Sequence, residues 1–94
     1  MGIFDRSKNN DSNIQVLAVH DSAAGSFAMP MFFASKGVAV RAFSDAANGG
    51  DKNISAHPQD YKLYKLGEYN PVSGELIPCA AEVVISAAEL VVKS

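Results

Sequence analysis

In "NIQVLAVHD", residues 13–21, apolar residues fall on both sides of an alternating ladder: Ile14, Val16 and Ala18 on one, Leu17 and Val19 on the other. A short run rich in β-branched residues that ends at the turn-like "DSAAGS" predicts a strand. Apolar residues on both faces place that strand at the centre of a sheet, or covered on both sides. The next run, "SFAMPMFF", alternates Phe27, Met29, Met31 and Phe33 with Ala28, Pro30 and Phe32. Pro30 has no N–H to give a ladder, so this second strand is expected at an edge or irregular. An antiparallel hairpin with the first strand follows.

The spacing changes after residue 35. In "SKGVAVRAFSDAANGG", Ala39, Ala42, Phe43, Ala46 and Ala47 recur at three- and four-residue intervals, which predicts a helix with one small-residue face. Ser35 is a suitable N-cap, and Asn48-Gly49-Gly50 supplies a stop. Lys36, Arg41, Ser44 and Asp45 fall elsewhere on the cylinder. Phe43 is the expected anchor of this helix on the sheet.

"DKNISAHP" reads as a polar connection in which Pro58 ends any helical tendency. "DYKLYKLGEY" then returns to strand spacing, with Tyr61, Leu63 and Lys65 on one face and Lys62, Tyr64 and Leu66 on the other. "NPVSG" has turn chemistry in Asn70, Pro71 and Gly74, and "ELIP" is its return strand. In the final "CAAEVVISAAELVVKS", the clusters Val83-Val84-Ile85 and Val91-Val92 favour strand, whereas the Ala-Ala-Glu pieces permit a helix. The expected fold class is α+β: a small, mostly antiparallel sheet of two hairpins with a candidate terminal strand, packed by one α-helix. Residues 14–94 form the single domain, and residues 1–13 a polar arm.

The 94 residues suffice for one core, and a hydrophobic share of 48% supports a folded one, although much of that share is alanine. Dimerisation would supplement so small a core. Cys79 is the only cysteine, which excludes an internal disulfide and a thiolate metal cluster and fits a reducing compartment. No apolar run reaches the roughly 20 residues that span a bilayer, so no membrane partner is expected. "MGIFDRSKNNDSN" lacks a signal-peptide core, and Arg6 stands where a myristoylation motif wants Ser or Thr.

The net charge of −2 argues against clamping duplex DNA by charge alone. The charge is uneven, however. From Lys36 to Lys65 there are five bases (Lys36, Arg41, Lys52, Lys62, Lys65) against three acids (Asp45, Asp51, Asp60), and the C-terminal part is acidic.

His57 and Asp60 invite an acid–base reading, but an Asp60 that caps the turn and a His57 packed beside Pro58 account for them more simply. His20-Asp21 ends the first strand, where Asp commonly makes a turn. A metal site on the two histidines would need further ligands that no motif supplies. Gly49-Gly50 lacks the Lys-Ser or Lys-Thr of a phosphate loop. Neither His-Asp pair has a serine or cysteine partner for nucleophilic work. The expectation is a non-enzymatic protein with no catalytic residues, no metal and no cofactor.

Tyr61, Lys62, Tyr64, Lys65 and Tyr69 form the most informative group. Single-stranded nucleic acid is held by rings that stack on bases and cations that follow phosphates. Against this stands an ordinary amphipathic strand, its rings on the core and its lysines in water. Tyr61 and Tyr64 lie on opposite faces, so both cannot join one platform.

The ordered set "VHDSAAGSFAMPMFF", "KGVAVRAFSDAAN", "HPQDYKLYKLGEYN" and the turn glycine before "ELIP" resembles the small non-structural protein of gokushoviruses, the single-stranded-DNA phages of the Microviridae. The resemblance covers roughly residues 16 to 78 and is carried by Asp21, Phe27, Pro30, Phe32, Ala39, Arg41, Phe43, Asp45, Asn48, His57, Pro58, Asp60, Tyr61, Leu63, Tyr64, Leu66, Gly67 and Gly74. It implies a phage protein made in the host bacterial cytoplasm, absent from the mature capsid, and engaged in genome replication or packaging. Two functions follow as expectations. One is binding of single-stranded phage DNA through Arg41, Lys62, Lys65, Tyr61, Tyr64 and Tyr69. The other is an adaptor that recruits phage or host proteins through an exposed edge at "FAMPMFF". A homodimer is compatible with either.

Overall fold

The computed structural model describes residues 13–92. Along them run β1 (Ile14–Asp21), β2 (Ser26–Phe27), β3 (Met31–Phe33), α1 (Lys36–Asp45), α2 (Lys52–Ala56), β4 (Tyr61–Tyr69), β5 (Leu76–Ser86) and α3 (Ala87–Leu90). The sheet is antiparallel throughout. β1 pairs with β4 on one side and with both β2 and β3 on the other, and β5 closes the sheet beyond β4. The central position expected for the first strand is therefore correct, and so is the α+β class.

The run 26–33 makes two short strands rather than one. Phe27 pairs with His20, and Met31 resumes the ladder opposite Leu17. Between them the chain leaves the sheet around Pro30, which cannot donate to a ladder. The turn before β2 is built by Asp21, whose Oδ1 accepts from the N–H groups of Ala23 and Ala24 at 3.0 and 3.3 Å. Gly25 completes it at φ +72°, a conformation that side chains resist. The β4–β5 turn repeats the device: Asn70 Oδ1 accepts from Val72 N–H, and Gly74 takes φ +79°.

All three helices pack on one side of the sheet. Leu17 and Leu63, both almost fully buried, meet Ala39, Phe43 and Ala47 of the α1 region, Ile54 of α2 and Ala87 of α3 in one core. Ser35 caps α1 by accepting from Val38 N–H. The helix ends in a widened turn, with Asp51 N–H donating to the Ala46 carbonyl.

Three expectations need correction. The "polar connection" contains α2, because Asp51 accepts from the N–H groups of Asn53 and Ile54 at 2.9 and 3.1 Å. That N-cap starts a helix whose apolar Ile54 reaches the core. The return strand does not stop at "ELIP" but continues as β5 to Ser86, so the candidate terminal strand is its continuation and not a separate element. The chain then forms α3, closed by a reciprocal cap in which Ser86 Oγ accepts from Ala88 N–H and Glu89 Oε2 accepts from Ser86 N–H. Of the expected polar arm, residues 1–12 lie outside the described residues. Asn13 belongs to the domain, buried with its amide on Glu68.

Irregular pairing along β4 positions everything on the other side of the sheet. Val16 pairs with Gly67 and Leu17 with Lys65, so β4 has one extra residue, Leu66, at that point. Across the β4–β5 ladder, Gly67 pairs with Pro78 but Lys65 with Glu82, so β5 is bulged there too. Gly67 permits this close approach. A Cβ there would collide with the Ile77 carbonyl oxygen and lie 3.1 Å from Pro78 Cα.

Candidate nucleic-acid interface

The face of the sheet turned away from the helices has no helix over it among the described residues. Strand pairing places on it Ile14, Val16, Ala18 and His20 of β1, Phe27 of β2, Phe32 of β3, Lys62, Tyr64 and Tyr69 of β4, and Leu76 and Val83 of β5. Phe27 is 43% and Phe32 55% exposed, and Leu76 and Val83 are exposed as well. Ala18 is fully buried among the larger side chains. The result is a low apolar floor with rings standing around it.

The rings are grouped. His20 lies edge-to-face with Phe27 at a centroid distance of 4.6 Å and with Tyr64 at 5.8 Å, while Phe27 and Tyr64 are 5.2 Å apart. Phe32 and Tyr69 form a second edge-to-face pair at 5.8 Å. Such geometry suits the ring quadrupoles and holds each ring at a fixed angle. Lys62 is exposed beside the first group, in register with His20.

Charge is partitioned between the two faces. The acidic residues within strands are Asp21, Glu68 and Glu82, and their pairing with Tyr61, Gln15 and Lys65 puts each on the helix-bearing side. The open face therefore carries Lys62 and His20 and no strand carboxylate, although the chain as a whole is acidic.

The six residues expected from sequence divide three ways. Lys62, Tyr64 and Tyr69 share the open face. Tyr61 and Lys65 face the other side. Tyr61 lines a cavity of about 420 Å³ beneath α1 with Phe43 and Ile54. Its burial and the neighbouring Asp21 carboxylate raise the phenol above its ordinary value. Lys65 is engaged by Glu68 at 2.8 Å. Arg41 projects from the exposed side of α1, away from the buried Ala39 and Phe43. The six thus do not form one surface.

His20, Phe27 and Phe32 belong to the open face and were not among the expected site residues. Their parity along each strand was readable, but only the cross-strand register brings them to Tyr64 and Tyr69. The His57–Asp60 segment is a single 3-10 turn held by Asp60 N–H on the His57 carbonyl at 3.0 Å. Among the described residues no group of three or more His, Cys, Asp or Glu is placed to hold a metal ion. No helix of the described residues is long and apolar enough to cross a membrane.

No curated protein and no solved structure matches the chain. A family model described as "Phage ORF5 protein" matches residues 14–90, from the first residue of β1 to the last of α3. The chain belongs to the Phage ORF5 protein family and is a phage protein.

Proposed function

We propose that this is a non-enzymatic phage accessory protein that binds single-stranded DNA on its open sheet face during genome replication or packaging in the host cytoplasm. The observation that carries the reading is the combination on one face of His20, Phe27, Phe32, Tyr64 and Tyr69 with Lys62, without a carboxylate on its strands. Exposed and half-exposed rings offer stacking to bases, and a face without strand carboxylates repels phosphates less. The resemblance to gokushovirus non-structural proteins supports a single-stranded genome as the ligand. The test is fluorescence anisotropy with a labelled single strand and the matching duplex. The single strand should bind more tightly, and Tyr64→Ala should weaken it. Absence of binding at micromolar protein would remove the proposal.

A second reading rests on the broken edge. Met29, 84% exposed, stands with Phe27, Met31 and Phe32 around Pro30, an apolar edge suited to a protein partner or a second copy of the chain. An adaptor would retain a phage or host protein in a pull-down after nuclease treatment. A DNA-binding protein would lose its companions on digestion.

A further inference from the structure

The rings of the open face are held in two places rather than spread evenly. Tyr64 stands opposite Ala18, and Tyr69 stands opposite Ile14. Those partners are four residues apart on β1, or about 13 Å at the rise of a strand. The first station has Phe27 and His20 against Tyr64, and the second has Phe32 against Tyr69.

This arrangement depends on the bulge. Tyr64 and Tyr69 are an odd number of residues apart, so in an unbroken strand they would project from opposite faces. The extra residue at Leu66 restores Tyr69 to the side of Tyr64. The low position between the stations is Val16, and Ala18 floors the first station; both are buried. Charge is placed asymmetrically as well: Lys62 is in register with His20 at the first station, and no strand residue at the second is basic.

Resting on the DNA-binding reading above, we infer that the open face holds a single strand at two separated stacking stations, built on Tyr64 and Tyr69, with phosphate met by Lys62 at the first alone. Three consequences follow. Binding tolerates any sequence, because every base presents a π-face. A strand too short to reach both stations loses one of them. Affinity depends only weakly on salt, because one phosphate contact to a single strand gives a slope of about −0.7 in log K against log salt.

The experiment is a salt-dependent anisotropy titration of the full chain with oligothymidylates shorter and longer than the station spacing, repeated for Tyr64→Ala, Tyr69→Ala, Tyr69→Phe and Lys62→Ala. Removing either tyrosine ring should weaken binding by about 5- to 150-fold. Tyr69→Phe, which keeps the ring and the fold, should bind as the parent does. Lys62→Ala should flatten the salt slope with a smaller loss. If long strands bind but Tyr69→Ala matches the parent, or the slope is several times steeper, the two-station inference is overturned while DNA binding stands. If no strand binds the parent, the underlying reading fails and the inference with it.

Discussion

Lys65 Nζ lies 2.8 Å from Glu68 Oε2, an ion pair between residues three apart in a single β-strand. In a regular strand such residues point to opposite faces. The extra residue at Leu66 in β4 brings Glu68 to the helix-bearing side, where Lys65 already stands by alternation with Leu63. There Asn13 donates to the other carboxylate oxygen at 3.0 Å. The same bulge therefore gives Lys65 its Glu68 partner and delivers Tyr69 to the open face. One local irregularity decides which face Tyr69 takes.

The pair has a pH signature. The hydrogen bond from Lys65, and then that from Asn13, hold the Glu68 carboxyl below its ordinary value of 4.5, and the bond to Glu68 raises Lys65 above 10.5. Because the folded carboxyl is depressed, its contribution is present above the unfolded value and is lost as pH falls through the folded one. Urea unfolding of the parent and Glu68→Gln should show the parent more stable at pH 7. That difference should shrink below about pH 4.5. A constant difference at both pH values would show that the ion pair does not carry it.

Gly67 should not tolerate a side chain. The alanine Cβ would meet the Ile77 carbonyl and Pro78 Cα, both backbone atoms of β5 that cannot rotate away. Gly67→Ala is expected to cost about 1–3 kcal/mol in chemical unfolding. Backbone amides of β5 opposite Gly67 should lose protection in hydrogen exchange. An unchanged midpoint would mean that β5 is not held this close.

Asn48 ties the end of α1 to the C-terminal segment. Its amide donates to the Ser44 carbonyl at 2.8 Å and the Leu90 carbonyl at 2.9 Å, and its Oδ1 accepts from Val92 N–H at 2.8 Å. Asn48→Ala should lower stability by about 1–2 kcal/mol and accelerate exchange of the Val92 amide. Equal exchange in the two proteins would separate the side chain from any fastening role.

Phe43 is the largest helical side chain in the core and is 4% exposed. Phe43→Ala should cost about 3–5 kcal/mol in thermal or urea unfolding, a large part of what a small domain possesses. A loss below about 1 kcal/mol would contradict its role as the anchor between helix and sheet.

Features set by local chemistry were legible in the sequence. Ser35, Gly25, Asn70 and Gly74 act through neighbouring backbone, and they stand at the expected cap and turns. The centrality of β1 followed from apolar residues on both its faces. The misses have two sources. Asp51 and the Ser86–Glu89 pair are capping signals present in the sequence, but each stands close to an opposing signal, Pro58 in one case and the Val/Ile clusters in the other. The face of Tyr69 is different in kind, because strict alternation assigns it to the wrong side. Only the register against β1 and β5 reveals the extra residue, and nothing about Leu66 by itself announces it. The candidate site is therefore half legible: Tyr64, Lys62 and Tyr69 stand out in the sequence, but their grouping with His20, Phe27 and Phe32 is a product of pairing.

The most direct test is an amide and aromatic NMR titration of the full chain with a single-stranded oligothymidylate. The account predicts perturbations concentrated on His20, Phe27, Phe32, Lys62, Tyr64 and Tyr69, with Arg41 and Lys65 unmoved. Perturbations centred on Arg41, Lys36 and the solvent side of α1, with the open face silent, would contradict it.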